Sequence, residues 1–221
     1  MLNSVKKGGA SLLFLCLILS GCGALPADMR ASVELVGRLI QPVPTISEAK
    51  LKSAGHLRVT FENRQTIYMV LGRINPDNSL TWASADGALM TTLNLRPIET
   101  SGFEVDLRRL QPMSQDPVAL GQFDRAGRRD FYYRMDVRPA DYRLVAQSNY
   151  RSDGTEPFTN RFTQVQTKRY IETWRLDRLD WQHQNEYWVA QDGVIVKSRV
   201  QLHPQQPMME LSLASYDPST R

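Results

Sequence analysis

From Gly55 onward the apolar residues of this chain recur at every second position, a spacing that suits half-buried β-strands and not helices. Leu57, Val59 and Phe61 alternate with Arg58, Thr60 and Glu62. Gln65 to Ile74 is apolar on both faces through Ile67, Tyr68, Met69, Val70 and Leu71, which predicts a central strand. Turn chemistry follows at Asn75-Pro76-Asp77-Asn78, then a strand from Leu80 to Ser84, then an Asp86-Gly87 hairpin turn into Ala88 to Leu95. Phe131, Tyr133, Met135 and Val137 alternate with polar or exposed-type neighbours. Phe158 to Leu176 reads as one long bent strand or two. Tyr187 to Ala190, the Asp192-Gly193 turn and Val194 to Leu202 form a hairpin, and Met209, Leu211 and Leu213 a last strand. Leu110 to Asp130, rich in Pro, Gly and charge, is expected to be a surface loop. Roughly ten strands in one sheet curl or close instead of lying flat. The expectation for 55–221 is therefore a single all-β domain: a curved antiparallel meander sheet, barrel-like or sandwich-like.

Before Gly55 the pattern differs. Met29, Val33, Val36, Leu39 and Ile40 recur at helical spacing behind Asp28, and Pro42 and Pro44 end the run; Ser47 can cap a second short turn. One or two short N-terminal helices are expected within 22–54. At the start, Lys6 and Lys7 precede an apolar run from Ala10 to Leu19, too short for a membrane span of about 20 residues but suited to an export signal. Leu19-Ser20-Gly21-Cys22 closes it as a lipobox, with cleavage between Gly21 and Cys22 and lipid on Cys22, because only a thiol is nucleophilic enough to take the diacylglycerol. Bulky Leu15 spoils the same pattern at Cys16. Two or three acyl chains make such an anchor stable where one does not. Gly23 stands where Asp would signal inner-membrane retention in enteric bacteria, so the expected location is the outer membrane, lipid-anchored and facing the periplasm.

Cysteine and charge usage narrow the rest. Removing residues 1–21 from the 221 leaves 200, and Cys22, the one cysteine left, is lipidated, so the domain folds without disulfides. The net charge of +4 falls to +2 without Lys6 and Lys7, which gives no indication of a nucleic-acid partner.

Several stretches carry a resemblance. They are Ile67-Tyr68-Met69-Val70-Leu71-Gly72, Leu80-Thr81-Trp82-Ala83-Ser84-Ala85-Asp86, Arg96-Pro97-Ile98-Glu99-Thr100-Ser101-Gly102-Phe103 and Asp116-Pro117. Trp181-Gln182-His183-Gln184-Asn185-Glu186-Tyr187-Trp188-Val189 with the Asp192-Gly193 turn complete the series. In this order the chain resembles the YjbF/GfcB lipoproteins of exopolysaccharide and group-four capsule loci. It departs at Leu95, where the family has Gly, and at Pro97, and it weakens through Gly121 to Arg129. The resemblance implies curved antiparallel strands behind N-terminal helices. It also implies a role in polysaccharide production or export beside an outer-membrane β-barrel-type lipoprotein, and no catalytic residues.

The residues themselves favour a surface-acting protein over an enzyme. His56, His183 and His203 lack metal-ligand spacing, so no metal or other cofactor is expected. No serine sits in a nucleophile elbow. Glu172, Asp177, Asp180 and Glu186 share one aromatic-rich stretch and are the carboxylates a glycan-modifying enzyme would use, but Arg169, Arg175 and Arg178 interleave with them as ion-pair partners. Arg108, Arg109, Arg125, Arg128 and Arg129 are likewise interleaved with Asp106, Asp116, Asp124 and Asp130. Trp181, Tyr187 and Trp188 are the candidate glycan or partner contacts, since indole faces stack on sugar rings and adjacent strand residues point to opposite faces. A lipid or glycolipid carrier is the rival binding class and requires an apolar concave cavity.

Overall fold

The computed structural model describes residues 55–218 except 64, 127, 128 and 140. Cys22 and the expected N-terminal helices lie outside the described residues. Twelve strands form one antiparallel sheet: β1 His56–Phe61, β2 Thr66–Ile74, β3 Leu80–Ser84, β4 Leu89–Leu93, β5 Arg96–Ser101, β6 Asp106–Pro112, β7 Phe131–Arg138, β8 Asp141–Thr159, β9 Gln164–Leu176, β10 Trp181–Ala190, β11 Ile195–Val200 and β12 Met209–Leu213. Every pair of sequential strands from β1 to β5 and from β6 to β12 is hydrogen-bonded, and β12 returns to pair with β1 through Leu57 opposite Leu213 and Val59 opposite Leu211. The result is an all-β meander, nearly closed into a barrel.

The barrel's one break in the ladder lies between β5 and β6. Side chains bridge it. Thr100 Oγ1 accepts from the Leu107 N–H at 2.8 Å and donates to Asp106 Oδ1 at 3.1 Å, while Asp106 also accepts from the backbone N–H groups of Gly102 and Phe103. Pro97 sits in β5 without cost to the ladder because an edge strand has N–H positions with no strand partner.

Three strands, β5, β6 and β8, were not expected from the pattern. β5 and β6 contain prolines, and the second half of β8 is Ser-, Asp-, Gly- and Glu-rich, so tertiary pairing overrides weak local preference. Of the two readings of Phe158 to Leu176, the structure takes the second: the end of β8 and the whole of β9 flank a turn in which Asn160 accepts from the Phe162 and Thr163 N–H groups. β2 is central in the ladder but apolar on both faces only in sequence: Tyr68 is 63% and Val70 51% exposed.

The segment expected to be a surface loop turns inward. After β6 a single-turn helix, α1 Pro117–Leu120, is capped by Asp116, whose side chain accepts from the Val118 N–H, with Pro117 at its first position and Gly121 in the left-handed region at its end. A 3-10 turn, Phe123–Arg125, follows. Val118, Phe123 and Ala126 are buried in the main core, with the Phe123 ring stacked on Tyr170 at 4.6 Å between centroids. Asn94 Nδ2 bonds the Val118 carbonyl, and Lys168 bonds Asp124, so the segment is pinned across one end of the barrel. The tip of the β8–β9 hairpin reaches the same end, where Asn160 donates to the carbonyls of Leu213 and Tyr216.

Candidate functional site

Two regions carry the concentrated polar chemistry. The first is inside the barrel. Arg96 enters from the start of β5 and is 0% exposed. Its guanidinium donates to Asp116, to Glu172, to Tyr150 Oη at 2.8 Å and to Tyr187 Oη at 3.1 Å. Glu172, also 0% exposed, accepts from Arg96, Tyr150 and Tyr187, and from Asn185 Nδ2 at 2.9 Å. Tyr133 Oη donates to Asp116 at 2.9 Å, and its ring lies 4.8 Å from the guanidinium. Alternation explains the convergence: Tyr170, Glu172 and Trp174 on β9 face Tyr187, Asn185 and His183 on β10, all on the inner side.

One cation faces two carboxylates, and phenol and amide donors satisfy the remaining lone pairs. Burial pulls the Arg96 guanidinium down, but the Asp116 and Glu172 carboxylates outweigh it and hold it well above its ordinary value, so it stays charged. Burial first, and then the carboxylates, push the Tyr133, Tyr150 and Tyr187 phenols up, so all three act as neutral donors. Sealed and saturated, this network holds the inward-folded 116–126 segment. It has no open face for a substrate.

This placement decides the fate of the sequence candidates. Tyr187 is 0% exposed and belongs to the network, not to a contact surface. Trp188 points to the other face but is only 5% exposed, with its Nε1 donating to Glu156 and the Lys197 ammonium 4.4 Å over its ring. Trp181 alone of the three is partly exposed; its ring stacks on His183 at 5.7 Å. Glu172 parts from its sequence neighbours: Asp177 pairs with Arg175, and Glu186 with Arg169 and Arg199, on the outer surface. Asp116 likewise leaves the arginine-rich surface for the interior. On the outer face, Arg109, Arg134 and Arg143 gather around Asp136 and Val145 in a shallow basic groove.

The second region is the opposite end of the barrel. Four loops, β1–β2, β3–β4, β5–β6 and β11–β12, surround a groove of about 560 Å³. Its lining mixes the Phe61 and Phe103 rings, 6.1 Å apart, with Asn63, Gln65, Gln201, Gln205 and Gln206, and with the carboxylates of Glu62, Asp86 and Glu104. The loops are tied to each other: the Glu62 N–H donates to the Met208 carbonyl, Gln206 Nε2 to the Val105 carbonyl, and Gln201 Nε2 to the Gln206 carbonyl. Gln206 is 3% exposed, and its Oε1 has no hydrogen-bond partner. His183, on the inner face of β10 beside Trp181, also has a buried Nε2 without a partner. Among the described residues no cluster of His, Cys, Asp or Glu has the geometry to hold a metal.

The fold and its polar interior set the frame for comparison. The family described as group 4 capsule polysaccharide lipoprotein, gfcB or YjbF, matches residues 44–213, nearly the whole β domain. The chain belongs to the YjbF family. Its strands also superpose on the crystal structure of the hypothetical lipoprotein YmcC from Escherichia coli K12, with a TM-score of 0.61 and 19% identity over 86% of this chain and 95% of that one. At that identity the likeness establishes the shared barrel fold. No curated protein matches. Asn94 and Leu95 form the two-residue β4–β5 turn at φ 48° and 60°, a left-handed backbone that a glycine would adopt without strain. Arg96, next in the chain, is the centre of the buried network. Asp116-Pro117 supplies one of its two carboxylates and the helix start. The Asp-Pro…Gly spacing from 116 to 121 was the sequence signal for that inward helix; nothing local marks Arg96 as buried.

Proposed function

We propose that this capsule-family lipoprotein is a non-enzymatic accessory to polysaccharide export. It is anchored through Cys22 to the outer membrane and works beside an outer-membrane β-barrel-type lipoprotein of the same locus. The observation that carries the non-enzymatic reading is the sealed Arg96–Glu172 network. Glu172 is fully buried and saturated with four donors, so no substrate reaches it. Asp177 and Glu186 of the same stretch are engaged with arginines on the surface. An acyl-chain carrier is disfavoured by the same feature, because charged and phenolic groups occupy the barrel interior. Membrane attachment through lipid is supported by the lipobox; among the described residues no helix is long and apolar enough to cross a membrane.

Metabolic labelling with a fatty-acid analogue tests the anchor. Wild-type protein should take the label and fractionate with the outer membrane, whereas Cys22→Ala should accumulate as a larger, unlabelled precursor. Label retained by Cys22→Ala refutes the assignment, and recovery mainly in the inner membrane refutes the location. Deleting the gene should lower secreted polysaccharide, and Glu172→Gln protein that folds normally should restore it. Failure of a folded Glu172→Gln to do so supports the enzyme class.

A further inference from the structure

We infer that the groove at the open end of the barrel is a binding site for a neutral, hydroxyl-rich glycan segment. The inference rests on the capsule reading for its biological source, but the site is argued from its own chemistry. Sugar rings offer two kinds of surface, apolar C–H faces and a rim of hydroxyls. The groove matches both, with the Phe61 and Phe103 rings for the faces and a set of side-chain amides and carboxylates for the rim.

Two observations sharpen the class. Gln206 supplies the first. An unpaired acceptor buried this deeply carries a desolvation cost that a hydroxyl donor would remove. Gln206 lines the groove and is flanked by exposed Pro204, Gln205 and Pro207. Charge is the second. The described lining holds three carboxylates, Glu62, Asp86 and Glu104, and no cation. Such a rim repels uronic acids, phosphates and sulfates, and it accepts hydrogen bonds from neutral hydroxyls. The ties between loops hold these groups in place before a ligand arrives, which lowers the cost of binding.

The test uses the full-length lipoprotein in detergent. The probes are neutral oligosaccharides released by partial acid hydrolysis of the producing strain's own exopolysaccharide, with hexagalacturonate as the acidic comparison. Titration calorimetry should show binding of the neutral fraction and none of hexagalacturonate. Gln206→Met, which keeps the volume but removes the acceptor, should weaken binding about 3- to 10-fold, as loss of one hydrogen bond does. If Gln206→Met fails to fold, Phe103→Ala and the exposed pair Glu104→Ala/Gln205→Ala carry the test and should each weaken binding. Arg134→Ala, on the outer groove, should leave it unchanged. Absence of neutral binding, or binding indifferent to all the groove variants, overturns the site. So does binding of hexagalacturonate that is lost in Arg134→Ala, which would move recognition to the basic face. A deletion strain with normal polysaccharide output refutes the export reading and leaves this in vitro result standing or falling separately.

Discussion

Arg96 shows how one residue can hold a barrel's interior in a single arrangement. It reaches Asp116 ahead of the inward helix and Glu172 on β9, and so ties two parts of the chain 56 positions apart. Breaking a buried pair by removing one partner leaves uncompensated charge and costs about 3–5 kcal/mol. Arg96→Met strands two carboxylates and should lower stability by that amount in denaturant unfolding. A loss below about 1 kcal/mol would mean the network is wetter than its burial indicates. His183 gives a pH-dependent test. Burial first, and Arg199 second, hold its imidazole below the ordinary value of 6.5, against the opposing carboxylates of Glu62 and Glu186. The unfolded chain therefore takes up a proton before the folded one does. That part of the stability is intact above about pH 6.5 and is lost as pH falls through the lower, folded-state value. Thermal melts between pH 7.5 and 5 should show the wild type losing more than His183→Gln; parallel curves would exclude His183 as the source.

At the scale of elements, the segment from Asp116 to Ala126 matters most. Its helix is one turn long and has no stability of its own. The Asp116 cap, the Pro117 start and the Gly121 end shape it, and burial of Val118 and Phe123 keeps it in place. Gly121 has φ 61°, and a methyl there would land on the backbone carbonyl oxygen of Gly193, which cannot give way. Gly121→Ala should cost more than ~1 kcal/mol, with hydrogen exchange accelerated across 113–126 before the strands. Unchanged protection in that segment would show that the closure tolerates the methyl. The β5–β6 seam is the complementary case, where Thr100 and Asp106 do with side chains what a ladder does elsewhere.

For the molecule as a whole, closure of β12 on β1 makes the first and last described strands neighbours, so the barrel gains its integrity only when the chain is complete. A protein of this kind, whose two cysteines, Cys16 and Cys22, both precede the β domain, should give a β-dominated far-ultraviolet circular dichroism spectrum. Its unfolding midpoint should not move on addition of a reducing agent. A helix-dominated spectrum would contradict the sheet, and a shift with reductant would imply an oxidised state that the sequence does not provide. The two ends of the barrel differ in kind: the end covered by the 116–126 segment is closed by buried apolar side chains over the Arg96 network, and the other is an amide- and acid-lined groove.

Period-two alternation at Leu57-Val59-Phe61 and at Phe131-Tyr133-Met135-Val137, with the Asp86-Gly87 and Asp192-Gly193 turns, determined that the chain is an antiparallel meander. Pattern and turn geometry are local, and each was readable within a few residues. The lipobox proposed at Cys22 rests on an equally local pattern. Only the tertiary structure decided that the sheet rolls until β1 meets β12, since pairing across some 150 residues leaves no trace in spacing. It also decided that Tyr187 and Glu172 lie inside, away from any glycan, and that the Pro- and Gly-rich stretch after β6 folds inward. A strand's alternation says which residues share a face. Which face becomes the interior of a barrel, and which distant arginine arrives to neutralise a glutamate there, follows only from closure.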